Sequence, residues 1–452
     1  MDGRMSTTTR LGAIDAAWLH MERATNPMMI TGVLWFAGPV DHGDIRQVLQ
    51  ERLLAVYPKF TQRVVDPVGP MPPRWEPDPA FHLDNHLLHV ALPEPGDRAT
   101  LQALVSDLAS SPLDMRFSPW QFHLVDGFDG ASALIGRIHH CVADGIALAR
   151  VLLGLTDGSG QLPPTHPAVR RRAWGDVPLA AAHKAIRALD GAADAVLHPE
   201  RIVNAMGLAA DGALEVEYLV TMSKDAATLL KAPLGARKRV AWADPIPLAD
   251  VKAVGKRLGC TVNDVLVSAM AGALGAHLAG EGAAVSTIRA FVPVNLRPLD
   301  KPIPRDLGNE FSLVVLELPV GEPDPLKRLE RVHVAMEKLK NGVEPAVTWA
   351  LFHLLGRTPA LVERWIVDFF GSKATAVFTN VPGPREVVTM AGVPVRGVMV
   401  WVPQSGPIGL GLSIFSYNGE VTVGVSADER CLHDPQSLAD RFATAFAALE
   451  RA

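Results

Sequence analysis

Apolar and polar positions fall into blocks along this chain, and the period of the blocks changes several times. Met29 to Phe36, MITGVLWF, is a continuous apolar and β-branched run, which predicts a buried strand. The next block, DHGDIRQVLQERLLAVYP, repeats at helical spacing, with Asp41 placed to cap the first turn and Pro58 to stop the last. ATLQALVSDLAS has the same helical period. WQFHLVDG and SALIGRIHH then read as two strands joined by the turn GFDGA, and GIALARVLLGL returns to helix.

Between Thr156 and Asp176 the text becomes TDGSGQLPPTHPAVRRRAWGD, whose Gly, Pro and charge mark a linker. A helical stretch runs from Pro178 to about Gly212, and alternation resumes near LEVEYLV. Strands are expected at TIRAFVPV, FSLVVLEL, VRGVMVWV, GLGLSIFSY and EVTVGVSA. Helices are expected at DVKAVGKRLG, NDVLVSAMAGALGAHLAG, DPLKRLERVHVAMEKLK and SLADRFATAFAALE. A chain of 452 residues exceeds a single core. The expected division is 1–160, a connection at 161–212, and 213–452, each half an α/β sandwich.

Composition removes several function classes. Apolar residues make up 48% and charged residues 20%, so the chain can bury cores and is not a disordered one. The formal net charge is −5, and Arg170–Arg171–Arg172 is the lone basic cluster, which argues against a nucleic-acid partner. Cys141, Cys260 and Cys431 are too scattered for a disulfide framework or a zinc ribbon and fit a reducing, cytoplasmic setting. The first twenty residues carry no signal-peptide core. Val265 to Gly280 is short for a membrane span and interrupted by His277, so it reads as a buried core helix. The expectation is a soluble protein, at most peripheral to a membrane.

Candidate chemistry centres on RIHHCVADG. His139 and His140 end an apolar strand, where strand alternation puts them on opposite faces. Histidine supplies a base that works near neutral pH, and Asp144 stands where it can cap the helix that follows. Two readings stay open from the residues alone: an acid–base centre, or a satisfied core histidine beside a capping aspartate. A metal site is not favoured, because HHCVAD has no recognised zinc spacing. His82, His86 and His89 in FHLDNHLLH have suggestive intervals, but Pro79 and the surrounding pattern argue for an irregular segment. TNVPGPR has one glycine and no Lys-Ser, so it reads as a rigid connection and not a phosphate loop.

HHCVADG matches the H-H-x-x-x-D-G signature of the acyl-CoA-dependent acyltransferase superfamily, which includes chloramphenicol acetyltransferase and condensation domains. LGAIDAAWLHMERATNPM, FHLDNHLLH, SSPLDMRFSPWQFHLVDG, TVNDVLVSAMAGAL, FVPVNLRP, LGNEFS and FTNVPGPR accompany it. Together they resemble the bacterial wax ester synthase/acyl-CoA:diacylglycerol acyltransferase family, from about Leu11 to the C-terminus. The resemblance implies a two-domain chloramphenicol-acetyltransferase-like sandwich with an interdomain tunnel. It makes His140 the general base, pairs Asp144 with Arg297 to shape the loop, and leaves His139 and Gly145 as support. Asn263 in VND is the candidate oxyanion donor; its other reading is the cap of its own helix.

The implied substrates are acyl-CoA and a long-chain alcohol or diacylglycerol, with no cofactor and no metal. The products would be wax ester or triacylglycerol. Rival readings are a condensation-type enzyme acting on carrier-bound acyl groups and a non-catalytic lipid-binding protein. The aromatic stretch from Ala346 to Phe370 carries Trp349, Phe352 and Trp365 and reads as core, or as peripheral contact with the inner membrane or a lipid droplet. Ser118-Pro119-Trp120 and Met29 depart from the family pattern and bear on substrate range.

Overall fold

Two large sheets organise the chain, and each takes its strands from the apolar runs. The computed structural model describes residues 8–67, 71–158, 217–297, 304–342, 344–356, 358 and 360–452. Most of the linker, the Arg170–Arg172 cluster and the helical stretch to Gly212 lie outside these residues.

The first sheet has the order Thr389–Met390, Val393–Trp401, Met29–Phe36, Ala131–His139, Trp120–Phe128 and Leu87–Ala91. Trp120–Phe128 and Ala131–His139 form the expected hairpin; Asp129 and Gly130 supply the positive φ values, 49° and 75°, that its tight turn needs. Leu87–Ala91 adds in parallel to Trp120–Phe128. It comes from the segment around FHLDNHLLH that the sequence read as irregular. Val393–Trp401 belongs to the second half of the chain but pairs antiparallel with Met29–Phe36, with a register shift between Val395 and Gly397. The two halves are thus joined by a shared sheet.

The second sheet runs Phe311–Leu318, Ile288–Asn295, Ala376–Pro382, Leu410–Tyr417, Glu420–Asp428 and Lys238–Trp242. Ala376–Pro382 is parallel to both neighbours. A central parallel strand is buried on both faces and has no alternation to announce it, so this one was not foreseen. The helices Val262–Gly280 and Pro435–Arg451 pack with this sheet in one core through Leu274, Leu412, Ile414 and Phe442. Val262–Gly280 is apolar and long enough to cross a membrane, yet it is a largely buried core helix here, as its sequence suggested.

Local signals explain several boundaries. Asp41 accepts N–H bonds from Gly43 at 2.7 Å and Asp44 at 3.3 Å, capping His42–Val48, after which the helix widens into a π-helical turn over Leu49–Leu54. Gly259 ends Leu248–Leu258 in the left-handed conformation at φ 69°. Ala346 to Phe370 is not one helix but parts of two, Glu344–Leu355 and Ala360–Gly371.

The shared strand has a tight point. A Cβ at Gly397 would lie 2.1 Å from Cζ2 of Trp35, whose ring stacks on Trp242 of the second sheet with centroids 5.7 Å apart. Gly397→Ala is therefore expected to displace Trp35 and cost about 1–3 kcal/mol. Urea unfolding reads this as a lowered midpoint at unchanged slope; an unaltered midpoint would show that Trp35 moves aside freely.

Candidate active site

Ala131–His139 is buried along its whole length, so the chain leaves the sheet with both imidazoles inside the protein. His139 and His140 are 1% and 5% exposed. The backbone N–H of Cys141 donates to His139 Nδ1 at 3.1 Å, which leaves the His139 proton on Nε2, facing Glu22 Oε2 at 3.4 Å. His140 has different surroundings. The indole of Trp18 stacks on its ring at 3.9 Å between centroids and 20° between planes, and Phe311 lies 5.6 Å away. Burial pushes the His140 pKa down to about 3, so the ring is neutral at pH 7.

Asp144 is almost sealed from water, and each of its oxygens is used. Oδ1 accepts the Ala147 N–H at 2.8 Å, capping Gly145–Gly154. Oδ2 accepts from Arg297 Nη2 at 3.0 Å and from the Glu310 N–H at 2.9 Å. The same Arg297 nitrogen donates to Gly308 O at 2.8 Å. Asn295 brackets the Arg297 backbone, accepting its N–H at 3.1 Å and donating to its carbonyl at 2.9 Å. The ion pair runs through one guanidinium nitrogen rather than the bidentate fork that its chemistry allows. Its rigidity comes from the backbone groups around it. Gly145 has ordinary room, with Val402 3.9 Å from where a Cβ would sit, and nothing in the structure demands glycine there.

A second set of contacts holds the same loop, and it was not foreseen. Asn309 Nδ2 donates to His140 O at 2.8 Å and to Asp15 Oδ1 at 2.8 Å, while the Asn309 N–H also reaches Asp15 Oδ1 at 3.0 Å. Lys59 Nζ, buried beside the Trp75 ring, lies 3.3 Å from both Asp15 Oδ2 and Val142 O. The loop carbonyls of His140 and Val142 thus each receive a donor placed by Asp15. The sequence signal for Asp15 and Asn309 was their presence in AIDAAWLH and LGNEFS, which did not say what they touch; Lys59 carried no signal.

Asn263 lies apart from these contacts. It is exposed in the first turn of Val262–Gly280, and its Oδ1 accepts from Asn380 Nδ2 at 2.8 Å. The helix is capped by Thr261 in a capping box with Asp264, so the capping role weighed for Asn263 belongs to its neighbours. The three histidines of FHLDNHLLH take separate partners: His82 pairs with Asp84, His86 donates to Trp120 O and His89 meets Asp126. Cys260, Asp264 and His333 offer ligand atoms within 4.8 Å of one another. Asp264 is already engaged by Thr261 and His333 there, at a helix N-terminus whose dipole opposes a cation. A cavity of about 520 Å³ between Trp35, Trp242 and Tyr417 does not include His140 in its lining.

The family model of the wax ester synthase/diacylglycerol acyltransferase catalytic domain matches residues 11–266, and that of the WS/DGAT C-terminal domain matches 307–450. The chain belongs to this acyltransferase family. Its membership covers Asp15, His140, Asp144 and Asn263 in the catalytic match and Asn309 in the C-terminal one; Arg297 falls between them. Among relatives of the WS/DGAT chain is the probable diacylglycerol O-acyltransferase tgs1 of Mycobacterium tuberculosis strain H37Rv. It is 29% identical over 86% of this chain and 84% of its own. The wax ester synthase/diacylglycerol acyltransferase from Marinobacter aquaeolei VT8 superposes with a TM-score of 0.70 at 23% identity, covering 98% of this chain and 99% of that one. The first condensation domain of the calcium-dependent antibiotic synthetase follows the same fold at TM-score 0.61 and 17% identity, over 99% and 96% of the two chains. These likenesses establish the two-sheet acyltransferase fold.

In this WS/DGAT chain, Asp144→Ala removes the buried carboxylate from Arg297 and leaves it only Glu310, half-exposed and 3.5 Å from its Nε, at an expected cost of about 3–5 kcal/mol. Thermal unfolding should show the loss, and acyl transfer should fall in protein that remains folded. Wild-type turnover from folded Asp144→Ala protein would contradict a loop-holding role.

Proposed function

We propose that this acyltransferase moves a fatty acyl group from acyl-CoA to the hydroxyl of a long-chain alcohol or diacylglycerol, forming wax ester or triacylglycerol, with His140 as the base. The observation that carries this reading is the buried, neutral imidazole of His140 on a loop fixed from two sides. Neutral imidazole is the form a general base needs. His140 takes the acceptor hydroxyl proton as the oxygen attacks the thioester carbon. A tetrahedral oxyanion forms, the C–S bond breaks, and the imidazolium returns the proton to the departing CoA sulfur. The thioester is already activated, so no cofactor enters these steps. Asn263 is proposed as the oxyanion donor: the Asn380 bond to its Oδ1 fixes the amide with Nδ2 as the remaining donor.

Thiol release from palmitoyl-CoA tests this with hexadecanol, dipalmitoylglycerol or no acceptor. Release is expected to require an acceptor and to fall about 10²–10⁴-fold in His140→Ala. Acceptor-independent or His140-independent release would refute it. A base whose pKa is lowered stays active as pH drops below the ordinary histidine value, so kcat/KM should hold level from pH 7 to about 5. An acid limb centred near 6.5 would contradict the depressed pKa.

We further propose a cytoplasmic enzyme that touches the inner membrane or a lipid droplet peripherally. Trp349, first considered for this contact, is 3% exposed and packs against His353, so it belongs to the core. Leu361, Val362 and Trp365 on Ala360–Gly371 are 81%, 41% and 64% exposed, and Leu361 and Trp365, four residues apart, share a face. Such a patch suits insertion at a lipid interface. Liposome flotation should recover the wild type and lose Leu361→Glu/Trp365→Glu; equal flotation of both would exclude this helix as the anchor.

A further inference from the structure

His140 has a face-to-face neighbour whose own backbone is pinned on either side. Trp18 stands on Ala13–His20, between Asp15, which Asn309 and Lys59 hold, and His20, whose Nδ1 lies 3.0 Å from Glu363 Oε2. The indole is 5% exposed and lies nearly parallel to the imidazole, with Phe311 5.9 Å away closing another side. Its Nε1 is buried and donates to no acceptor among the described residues, and the contact with His140 works through the ring face.

We propose that Trp18 is a positioning residue for the transfer reaction, fixing the His140 ring and favouring the imidazolium that exists only after the acceptor proton has moved. This rests on the reading of His140 as the base. The face of an aromatic ring carries negative potential, so it holds a neutral stacked ring in place and attracts a cation stacked on it more strongly. At 3.9 Å, between buried groups, that difference is screened less than it would be in water. A contact that strengthens as the proton transfers lowers the barrier without tightening substrate binding, so its removal reduces kcat and leaves KM unchanged. Fixing the ring also keeps its proton-accepting nitrogen at the angle that attack requires, where small misplacements are costly.

Trp18→Leu is expected to lower kcat about 5- to 30-fold at unchanged KM, the size of a desolvated cation–π contact. Trp18→Phe, which keeps a ring face, should stay within about threefold of wild type. Where thermal unfolding shows that the leucine variant does not fold, Trp18→Met gives the comparison with Phe, being apolar, flexible and non-aromatic. Loss of activity in Phe equal to that in Leu or Met, or a rise in KM with kcat intact, overturns the proposal. In a His140→Ala background Trp18→Leu should change residual transfer no further, because it acts through the imidazole; an additional loss there also overturns it. Full activity of His140→Ala itself would instead sink the base assignment, which separates the two failures.

Discussion

A carboxylate and a guanidinium, both nearly sealed from water, meet at the end of the HHCVADG loop, and the geometry of that loop depends on their pairing. Asp144 lies on the first half of the chain and Arg297 on the second. Neither would be tolerated alone in the interior, because an unpaired buried charge costs several kcal/mol. Their pairing is reinforced by the Glu310 N–H and the Gly308 carbonyl, and Ala143 forms a bridge with Gly308 beside it. One ion pair therefore staples the loop after His140 to the neighbouring half while also capping the helix that begins at Gly145.

The N-terminal helix completes the frame from another direction. Asp15 orients Asn309 and Lys59, whose donors reach the His140 and Val142 carbonyls. Three residues along, Trp18 meets the His140 ring itself. The backbone of the loop and the plane of its imidazole are thus both set from one helix, Ala13–His20, through different side chains. The proton transfer proposed for His140 would need that precision, since an angstrom of misplacement is enough to slow such a step greatly.

Much of this was legible in the sequence, where local pattern carries the information. Met29–Phe36, the 120–139 hairpin and the helices capped by Asp41 and Asp144 followed from apolar runs, turn residues and Asp at helix starts, whereas the cap weighed for Asn263 belongs to Thr261. What escaped was long-range. Ala376–Pro382 has no alternation because both faces are covered, and nothing local says that Val393–Trp401 crosses to the first sheet. At the site, the HHCVADG motif singled out His140 and Asp144, and the family resemblance pointed to Arg297. Asn309, Lys59 and Trp18 touch His140 or its loop from distances of 169, 83 and 122 positions along the chain, the last being 140 − 18. Spacing within a motif cannot encode such contacts. Trp349 failed differently: its composition suits core and interface alike, and only packing against His353 and burial decide between them.

The central claim is that Asp144 and Arg297 act as one unit to place His140. A double-mutant cycle on kcat/KM for acyl transfer, using Asp144→Ala, Arg297→Ala and the pair in folded protein, tests this most directly. The account predicts strong coupling: the double variant is no slower than the slower single variant. Losses that multiply across the two sites would contradict it, because each residue would then contribute through a separate route.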